Sequence, residues 1–346
     1  MKRTIELFVL CLIVMIFGCN DDKEYIPFYQ DAIYIMDADG GNKQKVIDMD
    51  ACINVQFIPA SNKLLYTINT SDGTNTASIY TIDTDGSDTR LISGEFKVKR
   101  DLPSISEDGG KIVFWAFTES RDYIYDLYMT DSIGSEIINL TQTMDQSEKD
   151  ASFIKYQDQE YLLYVTYFSE NDSYYSTINT MNMNTFEVDT LYIEEIENDH
   201  GFKKPIYDTE NDILFTIFDF YSVLKYNSLA NGDSTFISYC AVNNMELSIL
   251  HTQLLFQLNG IMLYNYDMNH FEELVDGYKF DIFEETIIYC TYFQSNTGDI
   301  FSIKIDGSDK TKLCENGFYP RFSEDGSMIV YIGSYIQNQE RYLITN

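Results

Sequence analysis

The chain has 346 residues, 45% of them hydrophobic, which is enough to bury a large core as two domains or as one large all-β domain. Its 55 acidic and 23 basic side chains leave a formal charge of −32, which repels a phosphate backbone or an anionic lipid surface and excludes nucleic acid as a partner. The 28 Tyr and 23 Phe favour strands, because aromatic and β-branched side chains suit a pleated, half-buried surface.

In chain order, the first segment is a targeting signal. Lys2 and Arg3 supply a positive start, residues 7–17 are an unbroken apolar run, and Gly18-Cys19 follows at once. Eleven apolar residues are too few to cross a bilayer as a helix. Ile16-Phe17-Gly18-Cys19 resembles the lipobox of bacterial lipoproteins, with Phe17 in place of the small residue usual at that position. The resemblance implies a signal peptide over residues 1–18 that is cleaved, and acylation of the Cys19 thiol as the new N-terminus. An ordinary cleaved signal and a retained anchor helix are the alternatives. The stretch Asn20-Asp21-Asp22-Lys23-Glu24 lies in an acidic tether, residues 19–30, and is similar to the tethers that send some lipoproteins to the outer face of the outer membrane.

From residue 31 to 346 two signatures alternate. The first is an aliphatic residue, an aromatic, and then a polar turn whose Gly stands seven positions after the first apolar residue. It reads Ile33-Tyr34 to Gly40, Ile79-Tyr80 to Gly86, Leu127-Tyr128 to Gly134 and Ile300-Phe301 to Gly307. A short apolar stretch follows each, so each copy predicts a hairpin with Gly supplying positive φ. The second signature is two aliphatics and an aromatic: Leu64-Leu65-Tyr66, Ile112-Val113-Phe114, Leu162-Leu163-Tyr164, Ile213-Leu214-Phe215, Leu254-Leu255-Phe256, Ile287-Ile288-Tyr289 and Ile329-Val330-Tyr331. The copies stand 33 to 51 residues apart, room for about four short strands each, which is the size of a propeller blade. The expected fold is therefore all-β, a β-propeller of four-stranded blades. Seven copies argue for seven blades, with six or eight also compatible, and the hairpin of residues 32–47 is expected to close the ring against the strands near Arg321 and Ile332.

Pro103-Ser104-Ile105-Ser106-Glu107-Asp108-Gly109 and Pro320-Arg321-Phe322-Ser323-Glu324-Asp325-Gly326 each lead into a copy of the second signature. Alternating with the Ile-Tyr-x-x-Asp-x-Asp-Gly hairpins, they resemble the TolB-type WD-like propeller repeat. The likeness is strongest in the first three hairpins and the last unit, whereas residues 170–275 keep only the periodicity, with Asn265 and Asp267 as remnants. The resemblance implies the propeller fold. It does not carry over a role in an envelope-bridging complex, since TolB-like proteins have an α/β domain ahead of the propeller and this chain has a lipobox-like Cys there.

Chemistry is sparse. Asp37-Ala38-Asp39-Gly40 and Asp83-Thr84-Asp85-Gly86 place Gly fourth, not sixth as in a calcium-binding EF-hand loop, so they are read as turns. Cys52, Cys240, Cys290 and Cys314 sit in strand-like contexts, as buried thiols or disulfides. His200, His251 and His270 have no ligand spacing, and no GxSxG elbow occurs. No catalytic residue, metal or cofactor is expected. The expected role is a non-catalytic binding or scaffolding lipoprotein of the bacterial cell envelope, lipid-anchored at the outer membrane, with an envelope protein or glycan as partner. The alternative is a propeller-fold enzyme such as a metal-dependent sugar lyase. The segments leading into the inner strands hold Arg100, Asp101, Lys149, Asp150, Lys203, Lys204, Tyr319 and Arg321, a mixed-charge set expected at the channel mouth of an otherwise acidic body.

Overall fold

The computed structural model describes residues 24–49, 51–70, 76–117, 124–197, 201–218, 222–226, 234–239, 247–250, 252–257, 260–265, 268–291 and 298–341. Residues 31–334 form one compact unit, and the extended backbone over 24–30 and 335–341 belongs to a second. Among the described residues every regular element is a strand.

The strands pair with their neighbours in sequence, which is what short polar turns between apolar runs dictate. Four sheets run in simple chain order. They are Ser147–Tyr156, Gln159–Glu170, Ser173–Asn182 and Val188–Ile196; then Phe202–Asp208, Ile213–Phe218, Ser222–Tyr226 and Ser234–Tyr239; then Leu247–Leu250, Gln253–Gln257, Ile261–Asn265 and His270–Val275; and finally Tyr278–Phe283, Thr286–Cys290, Ile300–Lys304 and Thr311–Cys314. A nine-stranded sheet precedes them. Its first part is Cys52–Phe57, Lys63–Asn69 and Thr76–Asp83 with Arg90–Leu91 beside it, and its second is Ile112–Phe117, Asp126–Thr130 and Ile138–Asn139 with Ser104–Ile105 beside Ile112–Phe117. The short strand Lys97–Lys99 joins the two parts by pairing with both Thr76–Asp83 and Ile112–Phe117. The last sheet mixes the two ends of the chain, in the order Gln44–Met49, Glu24–Asp37, Met328–Arg341, Gly317–Phe322. That is the closure expected of residues 32–47, and it leaves the C-terminal strand no free edge on its Glu24–Asp37 side. Within it the Ser334 hydroxyl donates to Asp31 Oδ1 at 2.5 Å.

The core lies on both faces of the second strand of each sheet. Leu64, Leu65, Ile112, Val113, Leu162, Leu163, Leu254, Leu255, Ile287, Ile288, Ile329 and Val330 are all fully buried, which explains why these strands read as unbroken apolar runs and not as an alternation. The two signatures meet as cross-strand neighbours. Tyr66 pairs in register with Tyr80, Phe114 with Tyr128, and Tyr289 with Phe301, their rings stacked at 5.4, 5.9 and 5.9 Å. Tyr34 stacks on Tyr331 at 5.4 Å across the two ends of the chain. Such pairs stabilise a sheet beyond the area they bury.

The hairpin turns follow their chemistry. Gly86 has φ +88°, its amide donates to the Asp83 carbonyl at 2.8 Å, and Asp85 Oδ1 accepts the Ser87 amide at 2.9 Å. A Cβ at Gly86 would stand 2.5 Å from the Val46 carbonyl oxygen, so this turn docks against the strand Gln44–Met49.

Candidate ligand-binding cavity

The first strands of the sheets carry a repeated irregularity. Their pairing with the second strand slips between Lys149 and Ser152, Lys203 and Ile206, Tyr278 and Phe280, and Phe318 and Arg321. Each slip contains a non-glycine residue in the left-handed region: Asp150 (φ +54°), Lys204 (+45°), Lys279 (+45°) and Tyr319 (+54°). A bulge of this kind inserts one residue and re-aims its side chain, and the left-handed conformation costs about 1–2 kcal/mol where Gly would adopt it freely. Lys and Tyr are poor residues for that backbone, unlike Asp or Asn.

All four of these residues line one cavity of about 750 Å³. Around its wall the first strands are tied in order by side chain to backbone. Arg321 Nη1 donates to the Phe280 carbonyl at 2.6 Å, and Phe322 N donates to Asp281 Oδ2 at 2.8 Å. Gln56 Nε2 donates to the Pro103 carbonyl at 2.8 Å and Asn54 Nδ2 to the Arg100 carbonyl at 3.3 Å. Phe153 N donates to Ser104 Oγ at 3.1 Å, Ser152 Oγ donates to the Pro205 carbonyl at 3.4 Å, and the Asp150 carboxylate accepts the Lys204 amide. The strand Gly317–Phe322 packs on both Tyr278–Phe283 and Cys52–Phe57.

Of the eight residues singled out from sequence, Arg100, Asp101, Asp150, Lys204, Tyr319 and Arg321 stand on this wall. Lys149 and Lys203 do not line it: each stands just before its bulge, and the cavity is lined by the displaced residue and those after it, Asp150 with Ser152 and Lys204 with Ile206. The Lys149 ammonium lies instead over the Tyr167 ring, 3.9 Å from its centre. Sequence reasoning passed over Lys99, Lys279, Asp281 and Trp115, which also line it. The signal for Lys279 and Asp281 was present, since Tyr278-Lys279-Phe280-Asp281 leads into Ile287-Ile288-Tyr289 as Tyr319-Pro320-Arg321 leads into Ile329-Val330-Tyr331. Trp115 comes from a second strand, where no inner-strand pattern would find it, and is the chain's single tryptophan.

Lys99, Arg100, Lys204, Lys279 and Arg321 outnumber Asp101, Asp150 and Asp281 on this wall, so the cavity reverses the sign of the chain's charge. Burial raises the Asp150 carboxyl above its ordinary pKa and Asp101 adds to the shift, while Lys204 and Lys149 oppose it. Arg321 Nη1 lies 4.0 Å from Asp281 Oδ1, and the Lys279 ammonium lies 5.2 Å from the centre of the Tyr319 ring.

The remaining sequence candidates have structural places or lie outside the described residues. Cys52, Cys290 and Cys314 are buried in one core cluster, and burial pushes the Cys314 thiol up to about 11. His270 is exposed at the start of its strand. Cys19, Cys240, His200, His251 and Asp267, and with them the signal peptide, lie outside the described residues. Among the described residues no group of three His, Cys, Asp or Glu side chains is placed to hold a metal ion. None of their helices is long and apolar enough to cross a membrane.

No family model matches the chain, and no curated protein matches it. Solved structures do. An oligogalacturonate lyase in complex with manganese aligns with 90% of this chain and 97% of its own at 10% identity, with a TM-score of 0.58. The oligogalacturonate lyase from Vibrio parahaemolyticus aligns with 92% and 99% at 12% identity, with a TM-score of 0.55. TolB structures are also among the matches, and the putative TolB from Agrobacterium tumefaciens aligns with 89% and 99% at 12% identity, with a TM-score of 0.47. What the lyase structures share with this chain is the fold, and at such identity a fold does not carry an activity with it.

Proposed function

We propose that the chain is a non-catalytic binding or scaffolding protein of the bacterial cell envelope: a seven-bladed propeller, lipid-anchored through Cys19, that offers its cavity to an envelope protein or glycan. One observation carries the binding reading. Four bulges each hold a strained non-glycine residue against the same cavity, and three of those residues are charged. Strain kept at several equivalent positions marks a place where side chains are needed more than stability is. Seven blades are supported by the sheet pairing, with the nine-stranded sheet counted as two blades joined through Lys97–Lys99. The lipid anchor rests on Ile16-Phe17-Gly18-Cys19 and the acidic tether after it, and the outer membrane is the proposed location.

The test is in-cell cross-linking followed by identification of the captured molecule. Lys204→Glu combined with Arg321→Glu should leave the protein folded and abolish capture; unchanged capture would move the site off this cavity. For the anchor, Cys19→Ser should remove lipid labelling, because a hydroxyl does not take the thiol's place in the acyl transfer, and retained labelling would end the lipoprotein reading. Manganese-dependent cleavage of oligogalacturonate by the purified chain would replace the binding reading with the lyase one.

A further inference from the structure

One hairpin is longer than its counterparts. Outside the sheet shared by the two chain ends, the described second strands stop soon after their signature aromatic: at Asn69 after Tyr66, Phe117 after Phe114, Phe218 after Phe215, Gln257 after Phe256 and Cys290 after Tyr289. Gln159–Glu170 instead runs six residues past Tyr164, paired with Ser173–Asn182 as far as Glu170 opposite Ser173. The three residues it has beyond the longest of the others add about 10 Å of strand. Asn171 and Asp172 close the hairpin with φ of +51° and +65°, the left-handed pair that a two-residue turn requires and that Asn and Asp tolerate. Its base is clamped by the next sheet. The Tyr167 hydroxyl donates to the Phe202 carbonyl, Phe202 N donates to Ser176 Oγ at 3.0 Å, and the Lys149 ammonium covers the Tyr167 ring. Tyr167 and Ser176 stand opposite one another, so the pleat puts Tyr174 and its partner Ser169 on their face, where Tyr174 is 54% exposed. Phe168, stacked on Tyr175, takes the other face, as does Ile193 opposite Thr177. The Tyr174 face adjoins Lys149 and Phe202, which precede the cavity-lining Asp150 and Lys204.

We propose that this hairpin is a docking arm for a protein partner, which lays a basic segment against Tyr174 and the tip carboxylates Glu170 and Asp172. The inference rests on the reading of the chain as a binding protein and names the class of partner, but the arm stands outside the cavity and can fail without it. Charge is the first support. From Tyr156 to Phe202 the sequence has ten Asp and Glu and no Lys or Arg, so this sheet attracts a basic segment and repels an anionic ligand. A second copy of this chain, with its formal charge of −32, is repelled as well. The second support is the kind of surface presented. The arm sets Tyr174 among Ser169, Asn171 and Ser173, a combination suited to protein recognition: Tyr gives broad contact at little cost in conformational entropy, and small polar side chains adapt their hydrogen bonds to the partner. The clamped base spares the complex much of the cost of ordering the arm.

The test places an aromatic photo-cross-linking residue at Tyr174 of the full chain in cells and identifies both the linked molecule and the linked segment. The expected result is a protein adduct at a segment of net positive charge. Its yield should fall about tenfold or more in Glu170→Lys combined with Asp172→Asn, which keeps in the turn a residue that tolerates the left-handed backbone. Glu170→Gln alone, at the exposed end of its strand, reads the same charge with a loss of about threefold should the pair fail to fold. A glycan or lipid adduct, an adduct to a second copy, a linked segment of neutral or negative charge, an unchanged yield in the charge variants, or no adduct at all would each overturn the arm. The cavity is judged apart from it by Lys204→Glu with Arg321→Glu. A partner cross-linked from Tyr319 and not from Tyr174 would end the arm and leave the cavity standing.

Discussion

Glu148 shows how one residue sets a pH dependence that no motif announces. It is 1% exposed, its carboxylate accepts the Thr143 hydroxyl at 2.9 Å, and burial pushes it up to about 7, with Asp126 adding to the shift and Thr143 and Thr141 opposing it. A carboxyl raised in the fold is protonated in both states below its ordinary value of 4.5, so it has no effect there. Between 4.5 and about 7 the unfolded chain ionises first, and stability falls as pH rises through that window. The full loss is on the order of 3 kcal/mol, from 1.36 kcal/mol per pKa unit. Glu148→Gln should therefore melt higher than the parent protein at pH 8 and close to it at pH 4. Parallel melting curves for the two proteins across that range would contradict the assignment. From sequence, Glu148 was visible only as a neighbour of Lys149, because its burial depends on the fold of the Asp126–Thr130 strand and the segment around Thr143.

At the scale of elements, the hairpins and second strands were legible because turn chemistry and unbroken apolar runs are local. Tyr66 and Tyr80, or Tyr289 and Phe301, could be named as signature residues, and their stacking follows from hairpin register alone. The bulges were not legible. A single inserted residue shifts the side-chain phase, so Lys149 and Asp150 were equivalent in sequence while only Asp150 reaches the cavity. Two predictions belong here. Lys204→Gly relieves a left-handed side chain worth about 1–2 kcal/mol and adds unfolded-state entropy of about 0.5–1 kcal/mol, so it should melt at or above the parent temperature while losing capture of a partner. A Lys204→Gly protein that is destabilised by several kcal/mol would mean that the side chain is structural. Gly86→Ala meets both a positive φ and the Val46 carbonyl at 2.5 Å, and should cost more than the roughly 1 kcal/mol of a simple propensity change, as read by denaturant titration.

For the molecule as a whole, stability depends on the sheet shared by both ends of the chain. Tyr331 is 5% exposed and stacked on Tyr34, so Tyr331→Ala should cost about 3–5 kcal/mol. Deleting residues 32–47 should lower the melting temperature of the entire 31–334 unit in one transition, because it uncovers the strand Met328–Arg341 and the core cluster behind it. An unchanged melting temperature would contradict closure through this sheet. This organisation was readable in the sequence because the hairpin Ile33-Tyr34 to Gly40 stands before the first copy of the second signature, Leu64-Leu65-Tyr66, and matches the hairpins that follow other copies. The ligand was not readable, since recognition depends on which side chains the circuit of strands brings to one cavity. The binding account is tested most directly by placing a photo-cross-linking residue at Tyr319, on the cavity wall, and separately at Ile193, 56% exposed on the outer strand Val188–Ile196. The account predicts a specific adduct in cells from position 319 and none from position 193; an adduct from position 193 alone would contradict it.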